Sequence, residues 1–466
     1  MMHLRIFIGT IMSNMEAWRA YPDIIDVPVK MNQPNEQIAI HTGPFELSQN
    51  NKTVGLEGTI SFGWFPHIGV KLSGKVISGN PLMWDDRAAK VQLVVNSLIV
   101  GNAYLTHISH GDEIELEGNL IDSVVLGDKS ITVSKIHFGI LNLRYFYGEP
   151  VKRVNGTKVQ TSRSRLTFEN GNFVINLDKI EEFDSKHRTL TIAGGYLILY
   201  GGTIESKKGT IAFSDLHELL ISFSHFLTFL NGRRCCPVIL KGMHNDEVIW
   251  TDYSGYICEQ FKSVPTWPCH MRVEGLGELW SKWSEIAKDE LDFDFLKTAV
   301  HWYAEANSNA ALVEGSLILA QTALELIYNW LVVEQKGILM GPDATNISAA
   351  NKIRVLLNQL DANFEIPSSL QHLTAYKNSV TEILDGPECF VRIRNAIVHA
   401  NEDKRKTLAK IPNMARYEAL QLGIWYIELS MLKILGFEGS YSNRCKGGGW
   451  AGEHEEPVPW RAKLVS

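Results

Sequence analysis

The feature that most constrains the fold is a change of hydrophobic period about halfway along the chain. From residue 37 to residue 213, apolar and polar residues alternate in short runs such as Phe173-Val174-Ile175-Asn176-Leu177, separated by Gly and Asn breakers. A period of two is typical of antiparallel strands, roughly ten of them here. From Glu274 onward the apolar residues recur at helical spacing instead. The sequence therefore predicts an α+β protein: a β-rich amino-terminal domain, sandwich-like or barrel-like, followed by an all-α carboxyl-terminal helical bundle.

The same pattern predicts where the domains begin and end. Residues 1–213 form the β-rich domain, and residues 214–271 form one amphipathic helix plus a small connector that contains cysteines. Residues 272–440 form the helical bundle. Residues 441–466, which are rich in glycine and proline, form a tail without regular structure.

Composition limits the class of protein. The formal charge is −7 over 466 residues, so nucleic acid would have to bind to a local basic surface. Six cysteines in so long a chain do not resemble a disulfide framework. The short apolar run near the amino terminus is far below the ~20 residues that span a bilayer, and no signal cleavage site follows it. We therefore expect a cytoplasmic protein without a membrane partner.

The segment Asp385–His399 is the strongest candidate for chemistry. Pro387 suits the first position of a helix, and Phe390 and Ile393 supply a buried stripe. The pattern predicts a helix over about residues 388–402, with its polar residues gathered away from that stripe.

Four polar residues lie on this predicted helix: Arg392, Arg394, Asn395 and His399. At ~100° per residue, Asn395 and His399 share a face that Arg392 joins, whereas Arg394 reaches it only with its long side chain. A histidine can act as general acid or base on a ribose 2′-hydroxyl, arginine can stabilise charge on the phosphate, and asparagine can orient either group. This set suits metal-independent cleavage of RNA, leaving 2′,3′-cyclic phosphate and 5′-hydroxyl ends. The alternative is a solvated polar face on a structural helix.

The stretch from Arg394 to His399, Arg-Asn-Ala-Ile-Val-His, resembles the Arg-Asn-x-x-x-His signature of the HEPN superfamily, whose helical bundles include many metal-independent ribonucleases. The stretches Ala310–Gln335 and Leu435–Tyr441 resemble the Apea-like branch of that superfamily. The run Gly58–Lys71 is similar to the β-rich domain that accompanies this bundle in bacterial anti-phage members. The resemblance covers nearly the whole chain.

The resemblance implies an abortive-infection ribonuclease that cleaves host or viral RNA, with tRNA among the expected substrates, once a phage-encoded trigger is sensed. Arg394, Asn395 and His399 would be catalytic, without a cofactor. It also implies a homodimer or higher homo-oligomer in which two copies of the helix form one composite site. Arg392 fits the looser family spacing as well, so the arginine that holds the scissile phosphate stays open.

Neighbouring residues could support this site. Glu325 lies in a polar stripe of the preceding helix and could position His399 or an arginine, although a solvated helix flank is an equal alternative. Just after His399, four basic residues could hold RNA phosphates or could form a simple charged loop. They are Lys404, Arg405, Lys406 and Lys410.

Two further clusters lie outside the predicted bundle. Lys152 and Arg153, close to several aromatic residues, could bind a nucleic acid or a nucleotide, or could belong to a mobile loop. The predicted connector also holds residue types that bind zinc, but their wide spacing favours buried free thiols. These residues are Cys236, Cys258, Cys269 and His270.

The rival hypothesis is a non-catalytic recognition protein, in which the bundle only dimerises and the β-rich domain binds a ligand. Cleavage of RNA in excess chelator would distinguish the two hypotheses. A zinc-dependent hydrolase is disfavoured because the chain has no His-Glu-x-x-His motif.

Overall fold

The computed structural model describes residues 18–461 except 82–83, 85–89, 97, 110, 112, 122, 256, 270, 309–311, 400, 448–449 and 451. The apolar run near the amino terminus lies outside the described residues. Within them, a β-rich amino-terminal region is followed by a helical carboxyl-terminal region, which confirms the α+β class predicted from the change of period.

The first six strands close into an antiparallel barrel in the order β1-β2-β3-β6-β5-β4. The strands are β1 Ile38–Gln49, β2 Lys52–Gly63, β3 Gly69–Ser78, β4 Val91–Val95, β5 Leu98–Ile108 and β6 Glu115–Leu120. Alternation places every second side chain inside: Leu56, Ile60 and Phe62 of β2 are buried, whereas Glu57 is exposed. At Gly58 a Cβ atom would come within 2.1 Å of the Ser73 carbonyl oxygen, so the close approach of β2 and β3 requires glycine.

Eight more strands form one sheet in the order β7-β14-β13-β8-β12-β11-β10-β9. The strands are β7 Val125–Gly127, β8 Lys135–Leu141, β9 Glu149–Asn155, β10 Lys158–Glu169, β11 Phe173–Lys179, β12 Ile198–Ser206, β13 Pro237–His244 and β14 Glu247–Asp252. The strands β13 and β14 come from the segment predicted as a separate connector. Instead they lie between β7 and β8 in this sheet, because the run Val238-Ile239-Leu240 is fully buried within it.

Two helices accompany the sheet: α1 Phe183–Ala193 and α2 Leu216–Asn231. The alternation did not predict α1, which lies inside the predicted β region, whereas α2 was predicted. Phe223 of α2 lies 5.6 Å from Phe168 of β10 and 5.3 Å from Trp280, measured between ring centroids. Since Trp280 belongs to the helical region, α2 joins the sheet and the bundle in one core.

The helical region contains nine α-helices among the described residues. They are α3 Leu276–Ile286, α4 Glu290–Asn307, α5 Leu312–Tyr328, α6 Gly341–Asn346, α7 Ala349–Asn358, α8 Gln371–Asn378, α9 Gly386–Val398, α10 Glu402–Lys410 and α11 Asn413–Ile434. A π-helical segment, Asn329–Gln335, continues α5. Together, Leu312–Gln335 is long and apolar enough to cross a membrane, but 61% of its most apolar window is buried inside the protein, as in the core helix of a soluble protein.

The carboxyl-terminal tail is ordered by the bundle. It was predicted without regular structure, yet β15 Ser440–Ser442 pairs with β16 Glu455–Pro457. Between these strands, the buried Arg444 guanidinium donates two hydrogen bonds to the Glu428 carboxylate of α11, at 2.9 and 2.6 Å. These contacts between residues distant in sequence could not be inferred from the glycines and prolines of the tail.

Candidate active site

Helix α9 begins at Gly386, two residues before the predicted start, because Asp385 caps its first turn, and it ends at Val398, four residues before the predicted end at residue 402. An Asp385 carboxylate oxygen accepts a hydrogen bond from the backbone N–H of Glu388 at 2.9 Å. The same carboxylate receives both arms of Arg354 from α7, at 2.7 and 2.9 Å. Phe390 and Ile393 are fully buried, and α9 packs against α5, α7 and α11. The helix is therefore held firmly while its polar side remains outside the core.

The three catalytic candidates lie at the carboxyl-terminal end of α9, where a side-chain hydrogen bond joins two of them, Arg394 and Asn395. The Arg394 side chain donates a hydrogen bond from Nη1 to the Asn395 Oδ1 atom at 3.0 Å, and both side chains are half-buried. His399 follows the last helical residue, its backbone N–H bonds to the Asn395 carbonyl oxygen at 3.2 Å, and its side chain is exposed. Within the described part of the chain, no hydrogen bond engages the imidazole. The arrangement leaves an accessible histidine one turn after an arginine that asparagine orients.

The two candidate arginines have different surroundings. The Arg392 guanidinium lies 3.6 Å from the exposed Glu382 carboxylate, and 36% of its side chain is exposed. Arg394 has no ion pair among the described residues, and its Nε atom is buried without an acceptor. At Arg392 a phosphate oxygen would have to compete with the Glu382 carboxylate for the guanidinium. At Arg394 the described residues offer no such competitor.

Glu325 is not joined to the candidate site by a hydrogen bond or ion pair. It lies half-buried on α5, which packs against α9, and accepts a hydrogen bond from Gln321 at 3.3 Å. Among the described residues, neither His399 nor the two arginines contact its carboxylate through such a bond. The prediction that Glu325 positions one of them therefore has no support in this conformation.

The four basic residues after His399 lie on a helix, not in a loop. The Asn401 Oδ1 atom accepts a hydrogen bond from the Lys404 backbone N–H at 2.9 Å and so starts α10. This helix packs against α9, and Lys406 pairs with Glu402 at 2.7 Å on the exposed surface. Arg405 and Lys410 are exposed as well. These cations therefore lie on a helix that packs against α9, the helix that His399 follows.

Lys152 and Arg153 lie elsewhere, in the antiparallel hairpin of β9 and β10. The Lys152 ammonium donates to the Arg19 carbonyl oxygen at 2.7 Å, and Arg153 pairs with Asp26 at 2.6 Å. The Asp26 carboxylate raises the pKa of Arg153 above its usual value. Both cations are thus engaged by the amino-terminal segment, and the mobile-loop interpretation is wrong because the residues belong to a sheet.

The candidate zinc ligands do not come together. Cys236 and Cys258 are neighbours, but the Cys269 thiol donates to the Ser440 carbonyl oxygen at 3.5 Å, and His270 lies outside the described residues. Where the structure describes the chain, no three His, Cys, Asp or Glu side chains are placed to hold a metal ion. All six cysteines are buried free thiols. The hydrogen bond with Cys258, together with burial, raises the pKa of Cys236, so its thiol stays protonated at neutral pH.

One functional candidate, Lys179, was missed in the sequence. Lys179 ends β11, and only 8% of it is exposed. A usable signal was present, since Ile175, Leu177 and Lys179 recur at a spacing of two on the buried face. A lysine in register with buried apolar residues marks an unusual position.

Comparison with known proteins adds two family matches and one relative. The family described as YopA central domain matches residues 128–264, and the YopA C-terminal domain family matches residues 289–456. The chain is 27% identical over 438 residues to the SPbeta prophage-derived uncharacterized protein YopA of Bacillus subtilis (strain 168), covering 92% of this chain and 96% of that protein. No solved structure matches. The first match spans β8 to β14 and the second spans most of the bundle, so both follow the units seen in the structure.

Proposed function

We propose that this protein is a metal-independent endoribonuclease of the HEPN type that acts in anti-phage abortive infection. The observation that carries the proposal is the end of α9, where an accessible His399 follows the bonded pair of Arg394 and Asn395. These are the chemical groups that cleavage by a ribose 2′-hydroxyl requires.

Two protons are transferred in the proposed reaction, one from the 2′-hydroxyl and one to the leaving 5′-oxygen. One copy of His399 transfers one of them. As general base it takes the proton of the 2′-hydroxyl, whose oxygen then forms a bond to the adjacent phosphorus while the bond from phosphorus to the 5′-oxygen breaks. The leaving 5′-oxygen gains a proton, and the products are a 2′,3′-cyclic phosphate and a 5′-hydroxyl. Arg394 stabilises the charge that builds on the phosphate oxygens, and Asn395 fixes the direction of its guanidinium.

A second copy of α9 would complete this chemistry. One histidine serves as base or as acid in a single step, so a homodimer with two facing copies of His399 would supply both groups. The cations of α10 beside each α9 would hold the RNA backbone, and the complex would weaken with salt. We expect RNA, tRNA included, to be cleaved and DNA to resist, because DNA lacks the 2′-hydroxyl.

The biological setting is part of the proposal. The similar protein is described as prophage-derived. A ribonuclease that stops growth when a second phage infects would protect the cell that carries a prophage, and it would act in the cytoplasm after a phage-encoded trigger is sensed.

The test is incubation of the purified protein with total RNA in excess EDTA, followed by chemical mapping of the new ends. We expect cyclic phosphate ends with the wild type and a loss of cleavage of roughly 100-fold or more in His399→Ala, as is usual when a general acid or base is removed. His372→Ala is the matched control, because His372 is an exposed histidine on α8 of the same bundle. Undiminished cleavage by His399→Ala would overturn the proposal.

A further inference from the structure

A large cavity lies between the β9–β10 hairpin, β11 and α1, far along the chain from α9. Its volume is about 770 Å³, which suits a ligand of nucleotide size. The lining combines aromatic rings and cations, and its members include Tyr145, Tyr147, Arg163, Lys179 and Phe183. At the rim, the Arg163 guanidinium lies 5.4 Å from the centroid of the Tyr147 ring.

Lys179 is the unusual member of this lining. It is only 8% exposed, and its ammonium lies 3.6 Å from the centroid of the Tyr145 ring. The described residues give this ammonium no hydrogen bond and no ion pair. Burial lowers the pKa of Lys179 to about 8, against the weaker effect of Asp184, which is exposed on α1. A buried cation without an anion is costly, and a bound anion would remove much of that cost.

A second cavity, of about 200 Å³, shares the Tyr145 ring with the first. It is lined by Arg144 and Arg233, and the Arg144 Nη1 atom is buried without an acceptor. Arg233 is 3% exposed, and among the described residues its guanidinium donates hydrogen bonds to backbone carbonyl oxygens alone, those of Asn142 and Lys262. Burial lowers the pKa of Arg233 to about 10.

The nearest acidic residues do not neutralise these arginines. Glu259 pairs with Arg234 at 2.5 Å, and Glu428 pairs with Arg444 at 2.6 Å. The pKa of His187, which lines the second cavity, is lowered by burial first and by Arg233 next. Positive charge therefore lies on both sides of Tyr145. The exposed carboxylates of Glu181 and Asp184 also line the first cavity, but in the described structure neither forms an ion pair with Lys179.

We propose that these two cavities bind a small phosphorylated ligand of nucleotide size, with phosphate oxygens on Lys179 and Arg144 and a planar ring beside Tyr147 and Arg163. Arginine and lysine are the usual partners of phosphate, and aromatic faces accept a base by stacking. The site does not depend on RNA cleavage by α9 and goes beyond that function.

The binding test is calorimetric titration of the full chain with ATP, tripolyphosphate and adenosine. We expect ATP to bind the wild type, and Lys179→Gln and Arg144→Gln to bind it at least tenfold more weakly. Lys135→Gln is the control, because Lys135 of β8 is a partly exposed lysine paired with Glu205, and its substitution should leave affinity unchanged. Tripolyphosphate should bind and adenosine should not, since the phosphates carry the contacts. If neither ATP nor tripolyphosphate binds, or if both variants bind as the wild type does, the proposal is wrong.

A labelling experiment on the wild type avoids any folding defect of the variants. An amine-acylating reagent at pH 8 should modify Lys179 in the free protein, because a pKa of about 8 leaves much of the amine unprotonated, and the partly exposed Lys135 serves as the reference site. Saturating ATP should reduce labelling of Lys179 at least fivefold and leave Lys135 unaffected, as read by peptide mass spectrometry. Labelling of Lys179 that ATP does not change would overturn the assignment. Both readouts are independent of nuclease activity, so failure of one proposal leaves the other intact.

Discussion

The end of α9 and the two cavities beside α1 both contain cationic side chains. The free-energy cost of holding those charges in the fold differs greatly between the two regions. Around α9, His399 is exposed and Arg394 is bonded to Asn395. Beside α1, Lys179 and Arg233 are 8% and 3% exposed and have no carboxylate partner in the described structure. Exposed polar groups hardly lower the free energy of unfolding, whereas buried charges without a partner lower it strongly. The first site must therefore be tested through activity, and the second through stability and binding together.

The largest expected effect is at a buried ion pair that joins α11 to the carboxyl-terminal tail. Glu428 of α11 is fully buried and accepts hydrogen bonds from Arg444 and from the Tyr303 hydroxyl, the latter at 2.8 Å. Burial alone would lower the pKa of Arg444, but the Glu428 carboxylate reverses this and holds it above its usual value. Glu428→Ala would leave the buried Arg444 guanidinium without its carboxylate partner. The substitution should therefore lower the free energy of unfolding by about 3–5 kcal/mol.

Urea unfolding followed by circular dichroism measures this loss. Glu438→Ala is the matched control, because Glu438 is an exposed glutamate just after α11. If the two regions share one core, the variant should weaken both ATP binding and RNA cleavage. A loss of unfolding free energy below about 1 kcal/mol, the range of exposed ion pairs, would show that this buried pair does not stabilise the core.

The next effect separates the two arginines of α9. Arg394→Ala should lower RNA cleavage by roughly 100-fold to 1000-fold, as removal of a transition-state donor does. Arg392→Ala should lower it less than about tenfold, because Arg392 is already paired with Glu382. Initial rates on a labelled tRNA measure both variants. The reverse order would assign the scissile phosphate to Arg392.

A third prediction tests the cost of the buried lysine. Lys179→Met keeps the length of the side chain and removes the charge, so it should stabilise the fold by about 1–3 kcal/mol at pH 7 while it weakens ATP binding. His399→Ala should leave stability within about 0.5 kcal/mol.

The stability gained by Lys179→Met should depend on pH, and the shifted pKa of Lys179 fixes the direction of that dependence. The folded pKa of Lys179, about 8, is below its usual value of 10.5, so the unfolded chain binds more protons between these two pH values. Charged Lys179 therefore destabilises the fold fully below pH 8, and this destabilisation disappears as the pH rises toward 10.5. The advantage of Lys179→Met, measured by urea unfolding at pH 7 and pH 9.5, should therefore shrink at the higher pH. An equal advantage at both pH values would contradict the account.

The smallest expected effect concerns the cations of α10. Lys410→Gln should weaken RNA binding only a few-fold and should reduce the slope of log affinity against log salt by about 0.7, the value for one phosphate contact on a single strand. Filter binding at several salt concentrations measures the slope. Lys288→Gln, on an exposed lysine paired with Glu285, is the control. Equal slopes for Lys410→Gln and the wild type would remove α10 from the RNA surface.

The sequence predicted what local pattern controls and failed where long-range contacts decide. The change of period predicted both halves of the fold, and Pro387 predicted the start of α9 to within two residues. Helix α1 was missed because Phe183 and Leu190 are its only fully buried residues, too few for a helical period. The strands β13 and β14 were predicted as short runs, but a short run does not show which sheet it joins.

The candidate sites differ in the same way. Arg394, Asn395 and His399 lie within six residues at the end of α9, so a local motif and its resemblance to a family signature were sufficient to propose them together. The two cavities that share Tyr145 are lined by Arg144, Lys179 and Arg233, which come from three distant segments, and no local sequence pattern joins these residues. Cys269 was grouped with Cys236 and Cys258 from sequence proximity, but it packs against the tail.

The central claim is that the end of α9 cleaves RNA through His399. Its most direct test is sequencing of RNA ends that carry 2′,3′-cyclic phosphates, in cells expressing the wild type or His399→Ala at equal levels. The account predicts discrete new cyclic phosphate ends with the wild type and background ends with His399→Ala. The same ends at the same abundance in both strains would contradict it.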